Sequence, residues 1–197
     1  MSRPKALDNQ THEKLLDVAE DLFSRRGYAS VKLREIALAV GIHHASLYYY
    51  VPGGKEQLYL EVMRRNAQRH SEGLSHAIEH ADNTLRHKLY AVSDWLLSQP
   101  PLDSARMAFA DLPALEPENA QRLSSLAYDA LRIPIVGALE AHQKQTTLQD
   151  LGGAAMLLVS IVQSVHLIPE RFLTAPDERH QIGRRYVDMI LDGWLER

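Results

Sequence analysis

The chain of 197 residues contains no cysteine. That excludes disulfides, thiolate zinc sites and cysteine nucleophiles, and it suits a reducing compartment. Long apolar runs are missing as well. The longest, residues 154–162, is interrupted by Ser160, whereas a membrane-spanning helix needs about 20 apolar residues. Met1 to Gln10 are polar and lack the apolar core of a secretory signal, so a soluble, cytoplasmic protein without membrane association is expected. No low-complexity tract and no repeat at solenoid periods occurs. Residues 71–197 hold no nucleophile elbow, no phosphate-binding loop and no HExxH motif. No enzyme activity, cofactor or metal site is therefore expected.

What is present is an ordinary globular composition, 45% apolar and 24% charged. The length supports one large domain or two small ones with a real core. A net charge of −3 conceals an uneven distribution: residues 1–70 carry 11 basic against 8 acidic side chains, and residues 71–197 carry 11 against 17. Nucleic-acid binding needs local rather than overall positive charge.

The pattern is helical almost throughout. Leu15, Val18, Ala19, Leu22 and Phe23 recur at three- and four-residue spacing, which places them on one face of a helix over residues 11–26. Gly27 reads as its stop. Short helices are expected over 31–39 and 44–50, and a longer one from Lys55 to His80 after the break Pro52-Gly53-Gly54. Asp82 or Asn83 can cap the next helix, which ends near Pro100. Further helices are expected over 104–112, 116–144, 148–167 and 177–195, with Pro134 kinking or dividing the second of these. A domain boundary within 66–83 gives domains of residues 9–69 and 70–197.

The informative segment is KLREIALAVGIHHASLYYYV, residues 32–51. A short amphipathic helix meets a glycine-containing turn and a second short helix, the layout of a helix-turn-helix whose second helix enters the DNA major groove. Ala37 must be small where the helices cross, Gly41 must turn sharply, and Ile36, Ile42 and Leu47 fill the space between them.

In order along the chain stand LLDVAEDLFSRRGY, LREIALAVGI, SLYYYV and KEQLYLEV. This series, from about Thr11 to Met63, resembles the tetracycline-repressor (TetR) family. Four positions depart from the family pattern. Val31 stands where a capping Thr or Ser is usual, and Ser30 could cap one residue early. His43-His44 replace the usual Ser/Thr then Lys/Arg. Val51 replaces a Phe, and the loop before Lys55 is one residue longer. The histidine pair argues against transferring a known operator sequence.

The resemblance implies an all-α protein: a three-helix, N-terminal helix-turn-helix DNA-binding domain and a larger helical domain for effector binding and dimerisation. Its partners would be a double-stranded DNA operator, a second copy of the chain and an unidentified small-molecule effector. By position, Tyr48, Tyr49 and Lys55 match family contacts, with Lys55 joining the positive end of its helix in gripping a phosphate. Lys32, Ser46 and Tyr50 are further phosphate candidates. His43, His44, Ala45 and Tyr49 sit where base edges would be read: imidazole donates and accepts, and an alanine methyl can meet a thymine methyl. Three adjacent tyrosines cannot all face DNA, and Tyr48 is expected to be partly core. Adjacent histidines point to different faces, which disfavours a zinc pair. His76 and His80, four apart, could clip a metal, but solvated surface histidines are the simpler reading.

In residues 71–197, Leu151, Ala155, Leu158, Val162 and Val165 form one apolar stripe, and Ile182, Tyr186, Met189, Ile190 and Trp194 another; either can serve core or dimer interface. The family implies that the last two long helices pair with those of a second subunit. Candidate pocket residues are Trp95, Met107, Phe109, Tyr128, Met156, Gln163 and His166, since small-molecule sites combine apolar walls with few polar groups. His166 reads equally as a satisfied core group or a pocket polar group. The Gly152-Gly153 pair reads as close helix packing. The alternatives to a ligand-responsive repressor are a helical small-molecule-binding protein or enzyme with a vestigial DNA-binding domain, and a regulator controlled by a protein partner.

Overall fold

The computed structural model describes residues 5–194 of the chain. Among them it forms nine α-helices and no β-sheet: α1 (Lys5–Ser30), α2 (Leu33–Val40), α3 (His44–Tyr50), α4 (Gly54–His80), α5 (Leu85–Ser98), α6 (Ser104–Arg106), α7 (Pro117–Ala141), α8 (Leu151–Ser164) and α9 (Glu178–Trp194). The helix expected over 104–112 is not regular. α6 runs into a widened, π-helical turn at Met107–Asp111 and then a 3-10 turn at Leu112–Ala114. Pro134 lies inside α7 without dividing it. Neither Asp82 nor Asn83 caps α5; the Thr84 hydroxyl accepts from the His87 amide instead. Among the described residues no helix is long and apolar enough to cross a membrane.

The chain packs as two compact units. One comprises residues up to Asn66 together with Asp103–Ala127; the other comprises Ala67–Leu102 and the chain from Tyr128 onward. The chain therefore changes unit within α4, between α5 and α6, and within α7, and each unit is assembled from two stretches of sequence.

The first unit packs α1, α2, α3 and the start of α4 around Leu15, Ala19, Ile36, Leu47, Leu58 and Val62. Leu115 and Leu123, far away in sequence, complete this core. Gly41 ends α2 at φ +85°, and its amide and that of Ile42 both bond the Ala37 carbonyl. This left-handed closure favours glycine and turns the chain straight into α3. The expected stop at Gly27 proves to be a kink within α1, at φ +76°.

The second unit buries Leu89, Val92 and Leu96 of α5 against Ala155, Leu158 and Val162 of α8 and Val187 and Leu191 of α9. The first α8 stripe read from the sequence is thus mainly core, and α9 turns Gly183, Val187, Leu191 and Trp194 inward rather than Met189. Gly183 lets α9 approach α5: a Cβ there would stand 2.5 Å from the Ser93 hydroxyl and 2.6 Å from a Leu97 methyl. Gly73 of α4 similarly receives the Trp95 indole, 2.0 Å from where a Cβ would be. Gly152 and Gly153 do not mark a close helix crossing; Asp150 caps α8 by accepting from the Gly153 amide at 2.8 Å.

Candidate nucleic-acid interface

The first unit displays α3 as a presented surface. Of its seven residues only Leu47 is fully buried. That single anchor fixes which way the rest point: His44, Ala45, Ser46, Tyr48 and Tyr49 are exposed, as is His43 at the cap position. Tyr48 is 46% exposed and Tyr49 73%, so the tyrosine turned toward the protein is Tyr50, not Tyr48. Tyr50 stacks on the His12 ring at 6.3 Å, and His12 Nε2 lies 3.2 Å from Glu61. This links the end of α3 to α1 and α4. His44 meets the Tyr48 ring edge-on at 5.5 Å.

Two polar ties set the α2–α3 pair on α1, and a third bond closes the end of α1 itself. Lys14 donates to the Val40 carbonyl at 2.9 Å, Arg26 to the Glu35 carboxylate at 2.8 Å, and Arg26 also to the Ser30 carbonyl at 3.0 Å. The Arg26 hydrogen bond holds the Glu35 carboxyl below its usual range. Ser30 does not cap α2. Lys32 takes the cap position without a side-chain capping bond, so its exposed ammonium stands beside the helix start.

Lys55, in the first turn of α4, is not extended into solvent. Its ammonium donates to the Ala29 carbonyl at 3.2 Å and lies 4.4 Å from the centre of the Tyr28 ring. Burial pulls its pKa down, opposed by the charges of Asp111 and Glu35. Beneath it lies a group that the sequence did not point to. Asp111, 4% exposed, accepts from the Tyr28 amide at 2.8 Å and the Tyr59 hydroxyl at 3.3 Å, and faces Arg106 at 3.6 Å. Burial, then the Asp111 charge, push the Tyr59 phenol far up. Arg106 donates to the Ser24 carbonyl at 2.7 Å. Glu56 accepts from the Glu116 amide at 3.0 Å and from Asn119 at 2.7 Å. Apart from the Arg106–Asp111 pair, these partners are separated by 52 to 83 residues in sequence, beyond the reach of any local motif.

The candidate pocket residues do not all come together. Met107 packs against the core of the first unit, and Phe109, also in that unit, is 85% exposed. Both leave the effector-pocket set for that reason. Tyr128, 46% exposed, lies under the Arg132 guanidinium at 5.7 Å. Trp95, Met156, Gln163 and His166 belong to the second unit and are half-buried. Gln163 accepts from the Leu102 amide at 3.3 Å, while its Nε2, Trp95 Nε1 and His166 Nε2 are buried and lack hydrogen-bond partners. Burial lowers the His166 pKa, partly offset by the Leu96 carbonyl. None of these residues lines the open groove of about 200 Å³ formed by Ser75, Ile78, Glu79, Lys88, Pro134 and Gly137. That volume is below the 300–1,000 Å³ or so of ligand pockets.

His76 and His80 stack at 4.0 Å. Among the described residues no group of three or more metal-ligating side chains surrounds them or any other point.

Residues 15–62 match the family model described as bacterial regulatory proteins, tetR family. The HTH-type transcriptional regulator LmrA of Bacillus subtilis (strain 168) is 43% identical over 53 residues, which are 27% of this chain and 28% of LmrA. The similarity thus spans little more than a quarter of that relative's length. Among solved structures, E. coli NemR in its reduced form superimposes with a TM-score of 0.70 at 19% identity, covering 91% of this chain and 96% of NemR. A TetR transcriptional regulator from Legionella pneumophila gives 0.70 at 22%, covering 96% and 97%. The fold likeness runs through both units, and the sequence match coincides with the helix-turn-helix, where residues 15–62 are similar to the tetR family of bacterial regulatory proteins.

Proposed function

We propose that the chain is a DNA-binding transcription regulator, working as a homodimeric, ligand-responsive repressor on a palindromic operator. The observation that carries the DNA-binding reading is the outward face of α3: a helix anchored by Leu47 and Tyr50 that exposes His43, His44, Ala45, Ser46, Tyr48 and Tyr49 together. Two such helices in a dimer would enter successive major grooves about 34–36 Å apart. His43, His44, Ala45 and Tyr49 read bases, whereas Lys32, Ser46, Tyr48 and Lys55 hold phosphate. Tyr50, turned toward His12, orients the helix.

The dimer reading is supported by apolar side chains left outward on α8 and α9, Leu157 at 48% and Met189 at 72% exposed. The effector reading is supported by the buried, unpartnered nitrogens of Trp95, Gln163 and His166, because such groups are rare without a partner. An effector shifts the dimer only if it binds the releasing and DNA-binding states unequally. The test is selection of bound genomic fragments followed by footprinting. A palindromic footprint is expected, and an asymmetric monomer site overturns the dimeric reading. His43→Ala should relax base preference at one position by about 1–3 kcal/mol, whereas Lys55→Ala should weaken all sites alike and reduce the salt slope by about 1.

A further inference from the structure

We infer that Asp111 is a positioning residue for DNA binding: its buried carboxylate, delivered by the π-helical turn at Met107–Asp111, holds the Tyr28–Ala29 corner on which Lys55 is seated. The inference rests on the reading that this surface binds DNA and that Lys55 meets a phosphate.

The chain of contacts is short and lies within one compact unit. Asp111 Oδ1 accepts from the Tyr28 amide at 2.8 Å, fixing the backbone just past the α1 kink. The next residue, Ala29, supplies the carbonyl that takes the Lys55 ammonium at 3.2 Å, and the Tyr28 ring lies beneath that ammonium at 4.4 Å. Both surfaces that hold Lys55 thus belong to the dipeptide that Asp111 anchors. The other carboxylate oxygen accepts from the Tyr59 hydroxyl at 3.3 Å and faces Arg106 at 3.6 Å. A buried carboxylate is retained only where charge and hydrogen bonds compensate it, and here they do. Gly27 makes room for the arrangement, since a Cβ there would come within 3.0 Å of both Arg106 Cδ and Asp111 Oδ1. The delivering element is unusual too. π-helical turns carry one residue more than the α spacing and gather at functional positions.

An asparagine at 111 would keep an acceptor for the Tyr28 amide. It would also lose the negative charge and set an amide N–H toward Arg106 or the tyrosine hydroxyl. The corner, and Lys55 with it, should loosen while the remaining core of the unit stays packed. Lys14 and Lys88 are internal controls, because each donates to a backbone carbonyl elsewhere, that of Val40 and that of Ile78.

The full-length protein, free of DNA, is labelled with a small amine-reactive acylating reagent, and the rate at each lysine is followed by peptide mass spectrometry. Asp111→Asn should raise the Lys55 rate several-fold and leave Lys14 and Lys88 unchanged. Tyr59→Phe, which retains the carboxylate and removes one of its donors, should act in the same direction and less strongly. An unchanged Lys55 rate in Asp111→Asn overturns the inference; so does a rise shared equally by the three lysines in both variants, which reports unfolding alone. In parallel, binding to a duplex recovered by genomic selection is measured against salt. Asp111→Asn should reduce the salt slope by about 0.9, the share of one phosphate contact, and should cost no further affinity in a Lys55→Ala background. A full additional loss in that background overturns the positioning role. Wild-type protein with no salt-dependent binding to any duplex would instead sink the DNA-binding reading, leaving the labelling result to decide whether Asp111 seats Lys55.

Discussion

The two compact units spend their polar groups differently. In the first, the buried carboxylate of Asp111 is matched by an amide, a phenol and a guanidinium, and one seven-residue helix exposes a run of polar and aromatic side chains. In the second, the strong polar pairs lie along α5 and α9, where Asp188 meets Arg86 and Tyr90, and Asp94 meets Arg184 at 2.6 Å. Its unpartnered buried nitrogens belong to Trp95, Gln163 and His166. A surface that reads an external polymer can be laid out on one element. Under the proposed function the second unit would hold a small molecule, and such a site must be enclosed and needs groups from several elements with hydrogen bonds left unspent.

The sharpest way to break this contrast is at the anchor of α3. Leu47→Ala removes the one fully buried residue of the presented helix and should destabilise the first unit by about 2–5 kcal/mol. Hydrogen exchange should show amides of α2 and α3 losing protection while those of α8 and α9 keep theirs. Equal loss throughout would mean that the two cores unfold as one. The corresponding change in the second unit is Gly73→Ala. Its Cβ would stand 2.0 Å from the Trp95 ring, a rigid group that must move, and overpacking of this kind costs about 1–3 kcal/mol. Denaturant melts followed by tryptophan fluorescence should register both the loss and the changed surroundings of Trp95.

The smallest effect expected is a pH dependence carried by His166. Burial depresses its pKa in the folded state below the ordinary value of 6.5. The unfolded chain therefore takes up the proton first, and stability present above that value is lost as pH falls below it. His166→Leu should flatten the slope of stability between neutral and mildly acidic pH. A slope unchanged by the substitution would assign it to other groups.

The sequence reveals most where the determinants are local. Gly41, Ala37 and the Ile36/Leu47 pair lie within a dozen residues of one another, so spacing alone defines the α2–turn–α3 geometry, and the bounds of α3 and the end of α4 fall where the pattern puts them. Which of three consecutive tyrosines turns inward is less legible. It depends on His12, 38 positions earlier, stacking on Tyr50. Met107 and Phe109 are unreadable for a stronger reason: their segment joins a core most of whose members lie before residue 67, and apolar composition carries no address. Nor does periodicity foretell the π-helical turn that aims Asp111. The stripes on α8 and α9 were visible, but whether a stripe meets its own chain is decided by neighbours such as Gly183 against Leu97.

Leu115 and Leu123 sit in the core beneath the helix-turn-helix, though the chain passes through α5 before reaching them. The helix-turn-helix is therefore not a detachable cassette. A chimera that joins this unit to the C-terminal part of another protein of the same fold at a single junction near residue 67 would graft α1–α3 onto a foreign floor. Transplanting that unit intact needs three junctions, with residues 103–127 travelling alongside the N-terminal helices.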